Sequence, residues 1–356
     1  MENFLSLVFL DITFNQFIVL TFISFILFFW NIFVWKKFSN RRIANYQGIQ
    51  RVHDGEIPRT GGLICLITIF ISFILFDTYL DNYLIILLFI LPLFLLSLFE
   101  DLNHSVHYLI RLSVMTITCF SIIYFLIPFY PNITTFAFIK YLFEFSLFEI
   151  TFFTLALIIL SNGFNFIDGM NGLLSFYIFG ALLSCFTLCY LTYDIESSYF
   201  LVILLIPLVV FFIFNYPFGK IFLGDSGAYL YAILIGTWTI NFFSKHEDIS
   251  SWNTFLYLFY PTIEVIFSFI RKLLQKKSPF YPDRGHMHLK IFDLLDGSLK
   301  KPKISNNLVV IFLAVFWISP PLLLPWVYSN NYLIFFATSI LFVTYSVLMF
   351  LLPEKK

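Results

Sequence analysis

The sequence predicts an all-α, polytopic membrane protein, and three observations carry that expectation. The 356 residues are 60% hydrophobic and 12% charged, where a soluble domain is about 25% charged. The apolar residues come in runs near 20 residues, the length a helix needs to cross the hydrocarbon core. The charges are distributed asymmetrically around those runs. A soluble fold cannot hide this much apolar surface, so a soluble globular enzyme, a disordered chain and a nucleic-acid-binding module are excluded. The 51 Phe fit lipid-facing positions, where any apolar side chain serves.

Apolar runs at 8–34, 61–76, 83–99, 109–128, 149–161, 173–190, 198–214, 227–243, 254–270, 304–327 and 332–352 give eleven predicted spans. The first has Glu2 and Asp11 before it and Lys36, Lys37, Arg41 and Arg42 after it, with no basic leader or small-residue cleavage site. By the positive-inside rule residues 35–60 are cytoplasmic and the N-terminus is outside. Carrying that topology forward puts all but two of the 21 Lys and Arg on the cytoplasmic side, along with the C-terminus; the exceptions are Lys140 and Lys245. Stretch 129–148 contains Lys140 and Glu144, with Glu149 directly after it, and reads as a re-entrant or extracytoplasmic hairpin rather than a twelfth span. Residues 1–356 then form one transmembrane domain without internal repeats. Cys65, Cys119, Cys185 and Cys189 all lie in apolar runs and read as small hydrophobes. The Asn132-Ile133-Thr134 sequon is given no weight.

Polar groups at membrane depth are costly and need a reason. Here they fall in five loops, all cytoplasmic in this topology: RVHDGEIPRTGG (51–62), FEDLNHSVHYLIRL (99–112), SNGFNFIDGMNGL (161–173), FGKIFLGDSGAY (218–229) and SPFYPDRGHMHL (278–289). Any one could be an ordinary interhelical connection, with Asp168 a turn former or Asp225 a helix cap. Five on one face point to a site. Glu100, Asp101, Asp168 and Asp225 are the hard oxygen ligands that Mg²⁺ prefers. Arg59, Arg111, Lys220 and Arg284 suit phosphates. Gly61-Gly62 and Gly227 precede predicted helices, whose N–H groups can receive anionic oxygens. His286 and His288 can donate to a phosphate or shuttle a proton. Glu264, about 10 Å inside a span, is expected to back the site from behind. His53, His104 and His107 read as loop residues. The combination suggests phosphoryl transfer near the membrane surface.

Taken together, NGFNFIDGMNGL, FGKIFLGDSGAY and SPFYPDRGHMH resemble the polyprenyl-phosphate N-acetylhexosamine-1-phosphate transferases. IPRTGG resembles that family's Pro-x-x-Gly-Gly segment, and FEDLNHSVHYLIRL its acidic pair followed by Ser and Arg. The likeness spans about residues 50–290 and favours the N-acetylglucosaminyl branch over the muramoyl-pentapeptide branch, whose Pro-Ile-His-His-His loop is missing here. Three positions depart from the usual pattern. Glu100-Asp101 replaces Asp-Asp, Asn171 replaces the second Asp of Asp-Gly-x-Asp-Gly, and Leu289 replaces the last His of His-x-His-His.

The resemblance implies Mg²⁺-dependent (or Mn²⁺-dependent) transfer of a phospho-N-acetylhexosamine from a UDP-sugar to undecaprenyl phosphate. UMP is released and a surface glycan such as O-antigen or lipopolysaccharide is begun. It places the protein in the bacterial inner membrane with the site on the cytoplasmic face, and it leaves a homodimer open. Asp225 is the expected metal ligand. Glu100 or Asp101 orients or deprotonates the lipid phosphate, or shares the metal. Asp168, Asn165, Asn162 and Asn171 contact the nucleotide-sugar, Arg111 and Lys220 the phosphates, and His288, His286 and Arg284 the diphosphate or sugar. The competing readings are a flippase for lipid-linked sugars and a non-catalytic family member. Transporters place sites near the midplane on broken, repeated helices, whereas these polar groups lie in loops at one face.

Overall fold

The computed structural model describes residues 14–38, 57–75, 81–127, 130–131, 137–279, 281 and 283–352. The start of the first predicted span, Arg41, Arg42, residues 51–56 with His53, the Asn132 sequon, Phe280, Pro282, Lys355 and Lys356 lie outside the described residues. The described chain is helical and contains no strand. Its helices are α1 (Phe14–Phe38), α2 (Gly61–Leu75), α3 (Asp81–Asn103), α4 (Tyr108–Leu126), α5 (Ala137–Phe143), α6 (Ser146–Ile167), α7 (Leu173–Thr192) and α8 (Ile195–Asn215). They continue with α9 (Gly224–Lys245), α10 (Thr254–Tyr257), α11 (Phe259–Leu274), α12 (Met287–Leu299), α13 (Pro302–Phe312), α14 (Val315–Val327) and α15 (Asn331–Leu351).

Among the described residues eight helices are long and apolar enough to cross a membrane, or up to nine with the bent pair 251–257 and 259–274. The chain is therefore a multi-pass membrane protein. One of the eight is 302–327, formed by α13 and α14 together, and three expected spans do not meet the test: α2 has 15 residues, α9 carries polar residues, and 254–270 is broken. The break bends the chain by 77° and has a local cause. Pro261 has no N–H to give the carbonyl of Tyr257, and the Tyr177 hydroxyl donates to that carbonyl instead, at 2.6 Å. Stretch 129–148 contributes the seven-residue α5, too short to span, whose Phe143 packs on Phe148 and Phe152 of α6.

Helix α9 is the centre of the bundle. It packs against α2, α3 and α6, and less extensively against α7 and α8. Nearly all of its residues are buried, so it need not be apolar toward lipid. Its polar atoms are paired inside the protein, as a low-dielectric setting demands. Trp238 Nε1 donates to the Ser197 carbonyl at 3.1 Å and the Tyr231 hydroxyl to that of Leu204 at 3.1 Å. Thr237 and Thr239 bond back to their own helix. The approach of α2 to α9 requires two glycines: a Cβ on Gly227 would fall 2.7 Å from the Gly62 Cα. Small residues permit such backbone contact.

Alternation of the spans brings four of the five polar loops and the start of α13 to one end of the bundle, and the last loop joins them through the end of α11. Pairings of Arg59 and Arg111 with Asp225, Asp168 with Gly224, and Glu264 with His286 fix that end. Lys290 of α12 reaches the carbonyls of Met349 and Leu352, tying the last helix to the same end.

Gly62→Val is expected to push α2 off α9 and destabilise the protein by about 1–3 kcal/mol, the usual cost of overpacking. Gly297, with open space where a Cβ would sit, should gain stability as Ala, by up to about 1 kcal/mol. Thermal unfolding in detergent checks both; equal behaviour of the two variants would contradict the packing account.

Candidate functional site

The site is built on the first turn of α9. A helix start leaves backbone N–H groups without intrahelical partners. Here the N–H of Gly224 donates to Asp168 Oδ2 at 2.8 Å, that of Asp225 to Asp101 Oδ1 at 2.9 Å, and that of Ser226 to Asp101 Oδ2 at 3.0 Å. The Ser226 hydroxyl adds a 2.9 Å bond to Asp101 Oδ2. The helix N-terminus does receive anionic oxygens, but they belong to the protein. Gly224 is required there: its φ is +76°, and a Cβ would lie 2.7 Å from Asp101 Cγ. The expectation for Gly61-Gly62 is corrected, because their N–H groups donate to the carbonyls of Phe222 and Leu223, both at 2.9 Å.

Asp225 projects from this turn between two arginines. Arg59 Nη2 lies 3.0 Å from Oδ1 and Arg111 Nη1 lies 2.6 Å from Oδ2. Arg59 Nε is also 3.5 Å from Asp101 Oδ1. Burial alone would lower the Arg59 pKa, but the charges of Asp225, Asp101, Asp168 and Glu100 outweigh it and hold the guanidinium above its ordinary value. Arg59 is thus the cation shared by all four acids. The sequence marks it only as a phosphate-binding candidate beside Pro58 and the Gly pair. Burial pushes Asp168 well above the usual carboxylate range, against the pull of Arg59 and the Gly224 N–H. Glu100 accepts the Val106 N–H at 2.7 Å and so closes the loop between α3 and α4. His104 in that loop is depressed by burial and by Arg59, which places a residue read as ordinary loop beside the site.

The roles of the carboxylates now separate. Both oxygens of Asp101 accept hydrogen bonds from α9 donors, so it caps the helix. Asp168 has one oxygen without a protein partner among the described residues, and Asp225 has only arginine side chains on its two. The described residues contain no group of three or more His, Cys, Asp or Glu arranged to hold a metal. Mg²⁺ does not need one: one or two carboxylates, completed by phosphates and water, are its usual protein set. Asp225 with Asp168 fits that ion.

The last loop is anchored from below. Glu264 is 1% exposed; its Oε2 lies 3.0 Å from His286 Nδ1 and its Oε1 accepts the Met287 N–H at 3.0 Å. Arg271 pairs with Asp283 at 2.9 Å, and Lys272 donates to the carbonyls of Pro279 and Tyr281. His286 stacks on His288 with centroids 5.6 Å apart and meets the edge of Phe166. His288 Nε2 lies 3.8 Å from where a Gly169 side chain would begin, so the ring reaches the Asp168-Gly169 turn. Its Nδ1 is buried with no partner among the described residues. Burial lowers the His288 pKa to about 3, making it a neutral hydrogen-bonding group. Arg284 pairs with Asp293 of α12, its Nε 3.2 Å from Oδ2.

The other expected contacts divide into two kinds. The half-buried Asn165 amide has no hydrogen bond among the described residues, and Lys220 is exposed over the Phe218 ring; both are available to a ligand. Asn162 donates to the Ile158 carbonyl at 2.8 Å within its own helix. Asn171 is committed to α13. Its N–H donates to Asn306 Oδ1 at 2.7 Å and its Nδ2 to Asn307 Oδ1 at 2.8 Å, while its Oδ1 is buried without a partner. Asn215 steadies the same turn by accepting the Gly172 N–H at 2.7 Å. Asn215, Asn306 and Asn307 were not singled out from sequence; only their positions in the fold reveal them.

Residues 83–243 match the glycosyl transferase family 4. The chain is 30% identical over 244 residues to the undecaprenyl-phosphate alpha-N-acetylglucosaminyl 1-phosphate transferase of Thermotoga maritima, covering 67% of this chain and 69% of that one. It is 24% identical over 258 residues to a probable undecaprenyl-phosphate N-acetylglucosaminyl 1-phosphate transferase of Bacillus subtilis, covering 68% and 67%. It is also 24% identical over 165 residues to the decaprenyl-phosphate N-acetylglucosaminephosphotransferase of Mycobacterium leprae, covering 40% and 41%.

Because His288 is held neutral, its stabilising contribution is complete above its ordinary pKa of 6.5 and is lost as pH falls toward about 3. Between pH 6.5 and pH 5 the loss is about 2 kcal/mol. His288→Gln should therefore show a smaller drop in unfolding temperature than the parent over that range; identical drops would refute a buried neutral imidazole.

Proposed function

Since the chain belongs to glycosyl transferase family 4 and its matched relatives are named as sugar-1-phosphate transferases, it is a membrane phosphotransferase, and we propose that it moves a phospho-N-acetylhexosamine from a UDP-sugar to undecaprenyl phosphate, releasing UMP. One observation carries this reading. Asp101, Asp168, Asp225, Arg59 and Arg111 come from four separate loops and converge on the first turn of α9, at one end of a lipid-embedded bundle. A soluble anionic donor and a lipid-tethered phosphate can meet only at such a place.

In the reaction an oxygen of the lipid phosphate attacks the β-phosphorus of the donor. A new P–O bond forms, the bond to the bridging oxygen of the α-phosphate breaks, and its electron pair leaves with UMP. A phosphate is already largely ionised at neutral pH, so no strong base is needed. Mg²⁺ held by Asp225 and Asp168 would offset the diphosphate charge and stabilise the leaving group. Arg59 and Arg111 orient the phosphates by forked hydrogen bonds. Asn165 binds the nucleotide-sugar, and His288 donates a neutral hydrogen bond near the Asp168 turn. Glu264 keeps the His286–His288 segment in register. The lipid tail stays in the bilayer beside α4 and α11, which both pack on α6 and expose Ile117, Phe120, Ile266 and Phe269.

The site end also collects the described cations, with Lys140 and Lys245 at the other end. By the positive-inside rule this supports a cytoplasmic-facing site in the inner membrane, where UDP-sugars are made. The product would be the first lipid-linked intermediate of a surface glycan.

Asp225→Asn should abolish divalent-cation-dependent UMP release, a fall of at least about 10²–10³-fold by analogy with loss of a key electrostatic group. The assay uses purified protein, labelled UDP-N-acetylglucosamine and undecaprenyl phosphate. Turnover at the parent rate would remove Asp225 from the metal role.

A further inference from the structure

Each oxygen of Asp225 is already claimed by a guanidinium, Arg111 on Oδ2 and Arg59 on Oδ1. A divalent ion bound at about 2.1 Å to either oxygen would stand within a few ångströms of that cation, where like charges repel strongly. The two arginines are not equivalent. Arg59 also faces Asp101 at 3.5 Å, and Asp168 and Glu100 lie in its field, so it has anions to remain with. Arg111 makes its one ion pair among the described residues with Asp225 and, of the other carboxylates, shares only the field of Glu100, without Asp101 or Asp168. It sits in the first turn of α4 with its side chain 29% exposed, against 35% for Arg59, so both have room to move and the acids around each decide between them.

We propose that Arg111 is an exchangeable counter-cation of Asp225, displaced when a divalent metal binds that carboxylate and passed to the incoming diphosphate. The inference rests on the reading of Asp225 as the metal carboxylate. It makes metal and nucleotide bind as a coupled pair. Metal alone must evict Arg111 without compensation, and diphosphate alone must compete with Asp225 for Arg111. With both present, each charge finds a new partner. Arg111 is therefore a positioning residue for the metal as well as a phosphate ligand.

The test measures Mn²⁺ binding to the full chain in detergent by its electron paramagnetic resonance signal, with and without UDP, against protein-free Mn²⁺–UDP controls. In the parent protein saturating UDP should tighten Mn²⁺ about tenfold, and Mn²⁺ should tighten UDP by the same factor. Arg111→Gln should bind Mn²⁺ alone about tenfold tighter than the parent, with UDP adding less than about twofold. Mn²⁺ affinity in Arg111→Gln equal to or weaker than the parent overturns the exchange, as does an absence of coupling in the parent itself, a measurement that needs no variant to fold. Asp225→Asn separates the two ideas. Loss of Mn²⁺ binding there upholds the metal carboxylate whatever Arg111 does. Retention of binding removes the metal assignment and the exchange with it.

Discussion

The first turn of α9 is the constraint on which the rest of the structure depends. A helix that begins inside a membrane-embedded bundle must find partners for its N–H groups without help from water. Asp101 and Asp168 supply them. Buried carboxylates then need cations of their own, and Arg59 and Arg111 meet that need. Breaking one member of such a buried set costs about 3–5 kcal/mol, because a charge is left unpaired. Four loops are thereby tied to one helix end, and the polar residues stand where the bundle opens to water.

This arrangement divides fixed parts from parts that can act. Asp101 accepts the N–H groups of Asp225 and Ser226 and the Ser226 hydroxyl, and so secures the helix start. Asp225 is held only by side-chain cations, which the proposed exchange passes from the carboxylate to a phosphate. The histidine loop shows the same division. Glu264, Arg271 and Lys272 hold its base, while the His288 ring extends to the Asp168-Gly169 turn. Rigid anchoring behind a small number of adaptable charges is the setting in which electrostatic stabilisation of phosphoryl transfer is most effective.

Much of this was legible in the sequence because the membrane restricts what an apolar chain can do. The long runs become helices, and the cluster of Asp, Arg and His at one end follows from alternation of spans. Other features depended on partners remote in sequence. Pro261 hints at a break, but only Tyr177, 80 residues from the freed carbonyl, explains how the bend is satisfied. Gly61-Gly62 has the composition of an anion-binding turn, yet its N–H groups meet Phe222 and Leu223 first. Arg284 has the chemistry of a phosphate ligand but lies against Asp293 one helix further on. Local composition identifies which groups are costly to bury; tertiary contacts decide which of them are already paired.

The departures from the family pattern bear on whether the site is maintained or decayed. Glu100 is one methylene longer than the usual Asp, and the extra reach lets it accept the Val106 N–H six residues later. Asn171 donates its amide to Asn307 and Pro217, bonds that a carboxylate, lacking a donor when ionised, could not make. Leu289 is 1% exposed and packs in the core, where a third histidine would have needed a polar partner. Glu100 and Leu289 are matched by their surroundings, and Asn171 is matched through its donors while its Oδ1 stays unpaired. Asp225 between two arginines also has a structural role, since removing one partner of a buried pair leaves a charge unpaired. The family membership shows a phosphotransferase, and the proposed site holds its carboxylates and cations in one paired cluster beside the substituted positions.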